Sequence, residues 1–409
     1  MVNNIGQLLV QAQAAHDAAD WSSLVQDLHQ LILANDSKHS EIANPEYLLE
    51  LALTILEMGD FQQRWDIAKV LNQLGTIAIP SLIAILEDED ADDELRWFAA
   101  RIVGEYKYPN AIAPLVELLK TSEDEELKAI TATALGQMGT LAIPILSELL
   151  TEEDTRLLAV RSLSYIRRPE IIAPLLSVVQ DAQAAVRAAT LEALSSFHDQ
   201  RVPPILLNAL EDVAAHVRGV AVQGLGYRSD LCTELDLVAQ LQPRLYDFHI
   251  EVCCNAAIAL ARMGGDAATQ HLFTVLISPH TPITLQLEII RALIWVETLL
   301  GLECLQKALN HLNSATLLQE IVTVIGRVQK PELISAASGI LLDMVQSQHP
   351  ATKITSVKSA IALSLGQLGC QEATPLLTDM LTDGDEFVRV HAIAALTKLE
   401  RHFTDILPC

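Results

Sequence analysis

The chain contains two consecutive and nearly matching segments between residues 170 and 226. The first reads IIAPLLSVVQDAQAAVRAATLEAL from Ile171, and the second reads VPPILLNALEDVAAHVRGVAVQGLG from Val202. Equivalent residues such as Asp181 and Asp212 lie about 31 residues apart, so this length is the unit of an internal repeat. A repeat of this length restricts the fold to an array in which each unit packs on its neighbours.

Each copy of the repeat has the pattern of two helices. In the first copy, Pro174 suits the first turn of a helix, where its missing N–H group is not needed. Asp181 lies in a short turn before a second apolar stripe that ends at Leu194. A single helix pair cannot bury its apolar face, which favours stacking of successive pairs. We therefore predict an all-α fold, an α-solenoid (superhelix) of about eleven to twelve helix pairs.

Similar units are recognisable along most of the chain. Second helices are predicted to end at Gly104 and Gly136, and the regular pattern returns from Ala373 to Leu399. Residues 1–40 are helical in pattern but lack the repeat. We predict an N-terminal helical cap at 1–40 and one continuous repeat domain at 41–409.

The composition is strongly acidic. The 409 residues include 27 Lys and Arg and 52 Asp and Glu, a formal net charge of −25. This charge argues against nucleic acid and anionic membranes as partners, since both attract basic surfaces. The N-terminus lacks the basic and apolar segments of a signal peptide, and six cysteines form no recognisable disulfide framework. We expect a cytoplasmic protein with no membrane span.

The repeat pattern, seen in APLLSVVQDAQAAVRAATLEAL from Ala173, resembles the HEAT-like repeats of the phycobilin-lyase-related family from about residue 76 onward. Within it, the chain is similar to cyanobacterial HEAT-repeat proteins that partner an A-type iron–sulfur scaffold. The resemblance implies a non-enzymatic scaffold that binds a partner protein on its concave surface, with an A-type iron–sulfur scaffold or carrier as that partner. The alternative it implies is a phycobilin lyase or phycobilisome-assembly factor of the E/F type.

A cation occupies the same position in seven repeats, seven residues before the last large apolar residue of the second helix. We call these residues the cation ladder: Arg96, Lys128, Arg156, Arg187, Arg218, Lys358 and Arg389. Their equal register places them along one edge of the array. They would form a basic groove for an acidic partner, or they would pair with aspartates in the turns of neighbouring repeats. The alternation with carboxylates favours internal pairing.

Acidic residues are concentrated in two successive turns, EDEDADDE from Glu87 and EDEE from Glu123. Turns of adjacent repeats lie side by side, which makes them a candidate partner-binding edge. Its residues are Asp88, Glu89, Asp90, Asp92, Asp93, Glu94, Glu123, Asp124 and Glu125. The edge would dock a basic partner or bind divalent cations weakly, although its spacing is not that of an EF-hand. The alternative is a solvated edge whose carboxylates stabilise helix N-termini.

Candidate metal ligands are few. His249 and Cys253 are four residues apart, and Cys409 ends the chain. Two soft ligands begin a metal site but do not complete one, and buried cysteines commonly fill space in helical arrays. We therefore predict no metal and no cofactor, with a bound iron or cluster as a third hypothesis.

Enzymatic uses of such repeats leave few traces. HEAT-like deoxyhypusine hydroxylases carry paired His-Glu dipeptides, and this sequence has none. A bilin pocket of the E/F type would need aromatic walls, a carboxylate and cations, which Trp97, Arg101, Tyr106 and Asp154 supply by residue type. Only 4% of the residues are aromatic, so Trp97 also suits a simple packing role. We predict no catalytic residue, and we expect partner contacts in the irregular region 228–330 or along the acidic edge at 87–126.

Overall fold

The computed structural model describes residues 2–36 and 44–406 and confirms the all-α prediction. These residues form 24 α-helices and eight short 3-10 helices, and no β-strand occurs among them. The α-helices follow one another as pairs, so the described chain contains twelve pairs. The fold is the α-solenoid that the repeat length indicated.

The chain divides into two compact units, Met1–Phe197 and His198–Cys409. The first unit contains α1 Val2–Asp17, α2 Trp21–Asp36, α3 Pro45–Met58, α4 Phe61–Leu74, α5 Ile79–Glu87, α6 Asp93–Tyr106, α7 Ile112–Thr121, α8 Glu125–Gln137, α9 Ile143–Leu149, α10 Arg156–Ile166, α11 Ile172–Leu176 and α12 Ala184–Ser195.

The second unit continues the pattern. It contains α13 Val202–Ala209, α14 Ala215–Gly226, α15 Leu237–Leu241, α16 Ile250–Met263, α17 Gly265–Leu276, α18 Ile283–Trp295, α19 Leu299–His311, α20 Ala315–Ile325, α21 Pro331–Gln346, α22 Thr355–Leu368, α23 Thr374–Met380 and α24 Glu386–Ile406.

Short 3-10 helices connect many of the pairs. Several immediately precede a first helix, where proline or glycine starts a tight turn. Their bounds are Gly75–Ala78, Pro109–Ala111, Gly139–Leu141, Pro169–Ile171, Ser229–Leu231, Gln242–Tyr246, Pro350–Lys353 and Gln371–Ala373.

The second helices of successive pairs pack on one another within each unit. In the first unit the row runs from α2 through α4, α6, α8 and α10 to α12, and in the second from α14 through α16, α18, α20 and α22 to α24. The core between these helices consists of aliphatic side chains. In the second unit, the fully buried residues at equivalent positions are Leu225, Leu260, Leu293 and Ile325. Burial of such side chains between layers is the main stabilising contribution in a repeat array.

Glycines near the ends of second helices have a different role from the one predicted. The helices expected to end at Gly104 and Gly136 continue to Tyr106 and Gln137. A Cβ atom added at Gly136 would lie 2.3 Å from the Cβ of Tyr165 on α10. The glycine therefore permits close approach of neighbouring second helices, so it does not terminate its own helix.

The N-terminal pair α1 and α2 packs against the next pair through α2, which contacts both α3 and α4. This pair coincides with the segment predicted as a cap. The boundary between a cap at 1–40 and a continuous repeat domain at 41–409 stays a prediction, and residues 37–43 lie outside the described residues.

One stretch, Phe61–Glu87, is long and apolar enough to cross a membrane by length and composition. In the structure it consists of α4, a 3-10 helix at Gly75–Ala78 and α5. Both α-helices pack within the first unit, α4 against α2 and α6, and α5 against α6 and α7. The stretch thus supplies core helices of the array.

Candidate functional site

Three members of the cation ladder, Arg156, Arg218 and Lys358, pair with a carboxylate of the next repeat. Arg156 donates from Nε to the carbonyl oxygen of Leu150 at 2.9 Å and from its guanidinium to Asp181 at 2.7 Å. Lys358 forms the corresponding ion pair with Asp383. Each of these cations therefore links two successive inter-helix turns.

The most enclosed of these links joins Arg218 and Asp247. The Arg218 guanidinium donates two hydrogen bonds of 2.7 Å to the two carboxylate oxygens and a third, of 2.8 Å, to the carbonyl oxygen of Asp212. Asp247 also accepts the backbone N–H of His249 at 2.8 Å. The bonds from Arg218 hold the pKa of Asp247 below its ordinary value, against the opposing effect of burial.

The remaining ladder residues contact their own repeats. Arg187 donates to the carbonyl oxygens of Asp181 and Ala182, and Arg389 donates to those of Asp383 and Gly384.

Arg96 and Lys128 pair with carboxylates three residues earlier, at Asp93 and Glu125. These two pairs lie within α6 and α8. All seven cations of the ladder thus have polar partners within the described chain, and the contacts of the other five hold inter-helix turns in place.

The acidic edge is also largely engaged in local structure. Asp92 and Asp124 cap the N-termini of α6 and α8. The buried side chain of Arg64 pairs with both Asp92 and Glu94. Burial raises the pKa of Asp92, but the N–H of Leu95 and the Arg64 guanidinium outweigh it and lower that pKa. Asp88, Glu89, Asp90, Glu123 and the rest of the edge are exposed.

The candidate metal ligands do not form a cluster. His249 precedes α16 as its N-cap residue and is exposed, whereas Cys253 is buried and its thiol donates to the carbonyl oxygen of Asp247 at 3.2 Å. Burial raises the pKa of Cys253, which disfavours the thiolate that binds metals. No group of three or more possible ligands is placed to hold a metal ion within residues 2–36 and 44–406. Cys409 lies outside these residues.

The four residues of the predicted bilin pocket do not converge on one cavity. The guanidinium of Arg101 lies 5.9 Å from the ring of Trp97 and 3.5 Å from that of Trp65. Tyr106 lies at the other end of α6 and donates its hydroxyl to the carbonyl oxygen of Leu71. Asp154 precedes α10, two second helices away from α6, which corresponds to roughly 16–20 Å.

A different set of side chains does come together at the ends of four second helices. The residue two positions after the last buried Leu or Ile is Tyr227 after α14, Arg262 in α16, Trp295 in α18 and Arg327 after α20. We call these four residues the aromatic–arginine row. The regular repeats give no sign of such a row, because their equivalent residues are mostly polar.

The members of the row are neighbours in space. The guanidinium of Arg262 lies 4.5 Å from the ring of Tyr227 and 5.5 Å from the ring of Trp295. Tyr227 is 61% exposed and Trp295 is 55% exposed. Arg262 is thus within cation–π distance of both rings, and much of their surface remains accessible.

A cleft of about 320 Å³ continues the row from Trp295 to Arg327. Its apolar lining consists of Trp295, Ile294, Val324, Val328 and Leu333. Its polar lining includes Thr298 and the charged side chains Arg291, Glu297 and Arg327. The site therefore combines an apolar depression with cationic groups at its margin.

The charges around the cleft are unevenly paired. Arg291 donates from Nε to Glu320 at 2.7 Å and also approaches Glu288, and Lys330 pairs with Glu297 at 3.2 Å. Arg262 and Arg327 form no ion pair or hydrogen bond with another side chain in the described part of the chain. Two guanidinium groups of the row are thus available for an external acceptor.

A second exposed apolar patch lies at the turn before α16. Phe248 is fully exposed there, and Tyr246 is also exposed. The two cations in the adjoining cleft are already paired, Arg218 with Asp247 and Arg244 with Glu211. This patch consequently offers apolar surface without an available cation.

The repeats match known families over parts of the chain. The family model of HEAT repeats matches residues 79–156 and 143–226, and the model of the PBS lyase HEAT-like repeat matches residues 357–383. No curated protein matches this chain by sequence. All four residues of the aromatic–arginine row lie between the matched regions.

Several solved structures share the fold. A structure of Kap95p bound to RanGDP is 15% identical, with a TM-score of 0.54, and the match covers 98% of this chain and 60% of Kap95p. A chain in a homology model of the full-length AP-3 complex is 13% identical, with a TM-score of 0.50, and the match covers 98% of this chain and 83% of that chain.

The CpcE–CpcF complex of phycocyanin lyase from Nostoc sp. PCC7120 is also similar. It is 20% identical, with a TM-score of 0.29, and the match covers 64% of this chain and 96% of that chain.

Proposed function

We propose that this chain is a non-enzymatic scaffold that binds a partner protein, and that the aromatic–arginine row is part of its binding surface. The observation that carries this proposal is the contact of Arg262 with two largely exposed rings, Tyr227 and Trp295. Tyr, Trp and Arg are the residues most enriched among the energetic centres of protein interfaces. Burying such rings on a partner would remove a large apolar area from water.

The position of the row supports the same proposal. Arg262, Trp295 and Arg327 lie between residues 226 and 357, which the repeat families do not match. Departure from a repeat pattern at exposed positions is expected where binding, and not stacking, determines the residue.

A comparison of captured proteins tests this function. The full chain, its Trp295→Ala variant and its Phe387→Ala variant would be used as baits in parallel, and bound proteins would be quantified by mass spectrometry. Phe387 is a matched control because it is an aromatic residue of the same unit and is 70% exposed. We expect a protein that is retained by wild type and Phe387→Ala and lost from Trp295→Ala. Identical captured sets for all three baits would contradict the proposal.

We further propose an A-type iron–sulfur scaffold as the partner and the cytoplasm as the location. The proposed partner is supported by the similarity of the repeats to those of cyanobacterial proteins with such partners. The free state of the five described cysteines, Cys232, Cys253, Cys254, Cys304 and Cys370, fits a reducing compartment. Capture from a cyanobacterial lysate without any iron–sulfur assembly protein would exclude this partner and leave the scaffold function standing.

A second candidate function is that of a phycobilin lyase or phycobilisome-assembly factor. The match of residues 357–383 to the PBS lyase HEAT-like repeat is the observation that favours it. Mixing the purified chain with a phycobilin tests this function, because a bound bilin changes its visible absorption. A shifted, narrowed band would support the candidate, and an unchanged spectrum would exclude it.

A further inference from the structure

We propose that the aromatic–arginine row binds an extended, acidic segment of the partner, with two carboxylates at Arg262 and Arg327 and an apolar side chain between them in the cleft. This inference rests on the proposed function and adds the chemistry of the segment that is recognised. It follows from the hydrogen-bonding capacity of the two arginines, the local charge, the spacing of the helices and the shape of the cleft.

The first argument concerns the guanidinium of Arg262. Its central carbon lies over the rings of Tyr227 and Trp295, 4.5 and 5.5 Å from their centroids. Neither ring accepts a conventional hydrogen bond, so the N–H donors of the guanidinium keep the fork that matches the two oxygens of a carboxylate. Since the described residues supply no acceptor to Arg262, this fork is open to a ligand.

The second argument concerns charge. Glu297, the carboxylate that lines the cleft, is paired with Lys330, and Arg291 is shared between the nearby Glu320 and Glu288. These four groups leave Arg262 and Arg327 as an excess of positive charge. Arg327 is exposed and lacks such a partner among the residues described. The row is therefore locally cationic on a chain whose net charge is −25. An acidic segment would be attracted to this surface and repelled by most of the rest of the chain.

The third argument concerns distance. Arg262 and Arg327 belong to second helices separated by one intervening helix, α18. Packed helices lie 8–10 Å apart, so two spacings amount to roughly 16–20 Å. An extended chain advances about 3.3 Å per residue. The two carboxylates of the ligand should therefore stand about five or six residues apart.

The cleft between Trp295 and Arg327 specifies the residue between the two acids. Ile294, Val324 and Leu333 line it together with the ring of Trp295. Such a depression takes a leucine or phenylalanine side chain, which becomes an anchor at the centre of the contact.

Aromatic and arginine side chains also stack on the bases of single-stranded nucleic acid. The high negative charge of the chain disfavours such a polyanion, because it must approach over a larger area.

The test uses a fluorescent peptide and fluorescence anisotropy with the full chain. The peptide has a central leucine flanked by two glutamates six residues apart in an otherwise Ser/Thr sequence, blocked at both ends. Its symmetric order of side chains offers a glutamate to each arginine in either direction of binding. A second peptide carries glutamine in place of both glutamates. We expect the glutamate peptide to bind more tightly, by about tenfold for each carboxylate–arginine contact.

Variants of the protein identify the site. Arg262→Glu and Arg327→Glu should each weaken binding of the glutamate peptide about tenfold or more, and Trp295→Ala should weaken binding of both peptides. Arg201→Glu is the matched control. It makes the same change of net charge in the same unit, at a residue whose side chain is 55% exposed and pairs with nearby Asp199. Its affinity should equal that of wild type apart from a small effect removed by 150 mM salt, where screening acts within about 8 Å.

Three results would overturn the inference: equal affinity for the two peptides, equal losses in Arg327→Glu and Arg201→Glu, or tighter binding of a single-stranded oligonucleotide than of the glutamate peptide. If any of these occurs while Trp295→Ala still loses a captured protein, the acidic specificity fails and the scaffold function stands. If the peptide binds as expected and no protein is captured, the row recognises acidic segments and the scaffold function fails.

Discussion

The guanidinium of Arg218 donates two hydrogen bonds of 2.7 Å to the carboxylate of Asp247, which lies 29 residues later in the sequence. The two side chains are 13% and 5% exposed. This pair joins the turn before α14 to the turn before α16, so it connects two successive repeats through their polar edge. Its energetic role differs from that of ion pairs in open solvent because water is largely excluded.

Breaking this pair should destabilise the second unit. We expect Arg218→Ala to lower the free energy of unfolding by about 3–5 kcal/mol, because it leaves the Asp247 carboxylate enclosed without its main partner. Urea denaturation followed by circular dichroism measures the change. Arg201→Ala removes an exposed ion pair with Asp199 and should leave the free energy of unfolding almost unchanged. Equal losses in the two variants would contradict the special role of Arg218.

The same pair predicts that the folded protein loses stability at low pH. Hydrogen bonds from Arg218 lower the pKa of Asp247, and those from Lys358 lower the pKa of Asp383. The unfolded chain therefore takes up protons first, below the ordinary value of 3.8. The stabilisation is complete above that value and is lost as the pH falls through the lower folded-state pKa.

Thermal unfolding measured between about pH 3 and pH 7 checks this prediction. Asp247→Asn cannot titrate, so it should be less stable than wild type near neutral pH, and the difference should shrink as the pH falls below 3.8. A difference that stays constant through this range would show that the carboxylate charge makes no contribution.

Glycine substitutions should separate helix packing from helix propensity. A Cβ atom at Gly366 in α22 would lie 2.6 Å from the Cα of Ala395 in α24, so Gly366→Ala forces two second helices apart. We expect a loss of about 1–3 kcal/mol. Gly339, inside α21, has no heavy atom within 4 Å of an added Cβ, so Gly339→Ala should stabilise by roughly 0.5–1 kcal/mol through its helix propensity. Chemical denaturation of both variants gives the two signs, and the same sign for both would be inconsistent with this account.

The thiols should react slowly. Burial raises the pKa of Cys254 to about 11 and also raises the pKa of Cys253, Cys304 and Cys370. Because the thiolate is the reactive form, Cys254 should react with Ellman's reagent at pH 8 roughly 100-fold more slowly than an ordinary exposed thiol. Unfolding in urea should raise the reaction rate of Cys254 to that of an ordinary exposed thiol. Fast labelling of Cys254 in the native protein, identified by mass spectrometry, would contradict the predicted burial.

The repeat length and the apolar spacing were sufficient to predict the all-α solenoid and its number of helix pairs, because a period near 31 residues has few physical solutions. Helix ends were less predictable. Gly136 and Gly104 have the residue type of a helix terminator, yet their lack of a side chain serves contact with the next helix. A contact between residues of different repeats has no signature in the spacing within one repeat.

The candidate site was predictable only as a region. The irregular segment 228–330 was expected to carry contacts, and it contains three residues of the aromatic–arginine row. The row itself becomes visible when the position two residues after the last buried apolar residue is compared across repeats. That comparison needs the helix ends of α16 and α18, where the repeat pattern is weakest. Trp97 and Asp154 show the opposite case, because suitable residue types were present without a shared location.

Each repeat contributes a single side chain to the aromatic–arginine row. The proposed recognition therefore depends on one side chain from each repeat. The buried Leu225, Leu260 and Leu293 keep these side chains at a regular spacing. A duplication of one helix pair would add one exposed side chain to the row without disturbing the neighbouring repeats. A single substitution would change one contact without altering the spacing of the helices. A scaffold of this kind can acquire a new or longer ligand motif by copying what already folds.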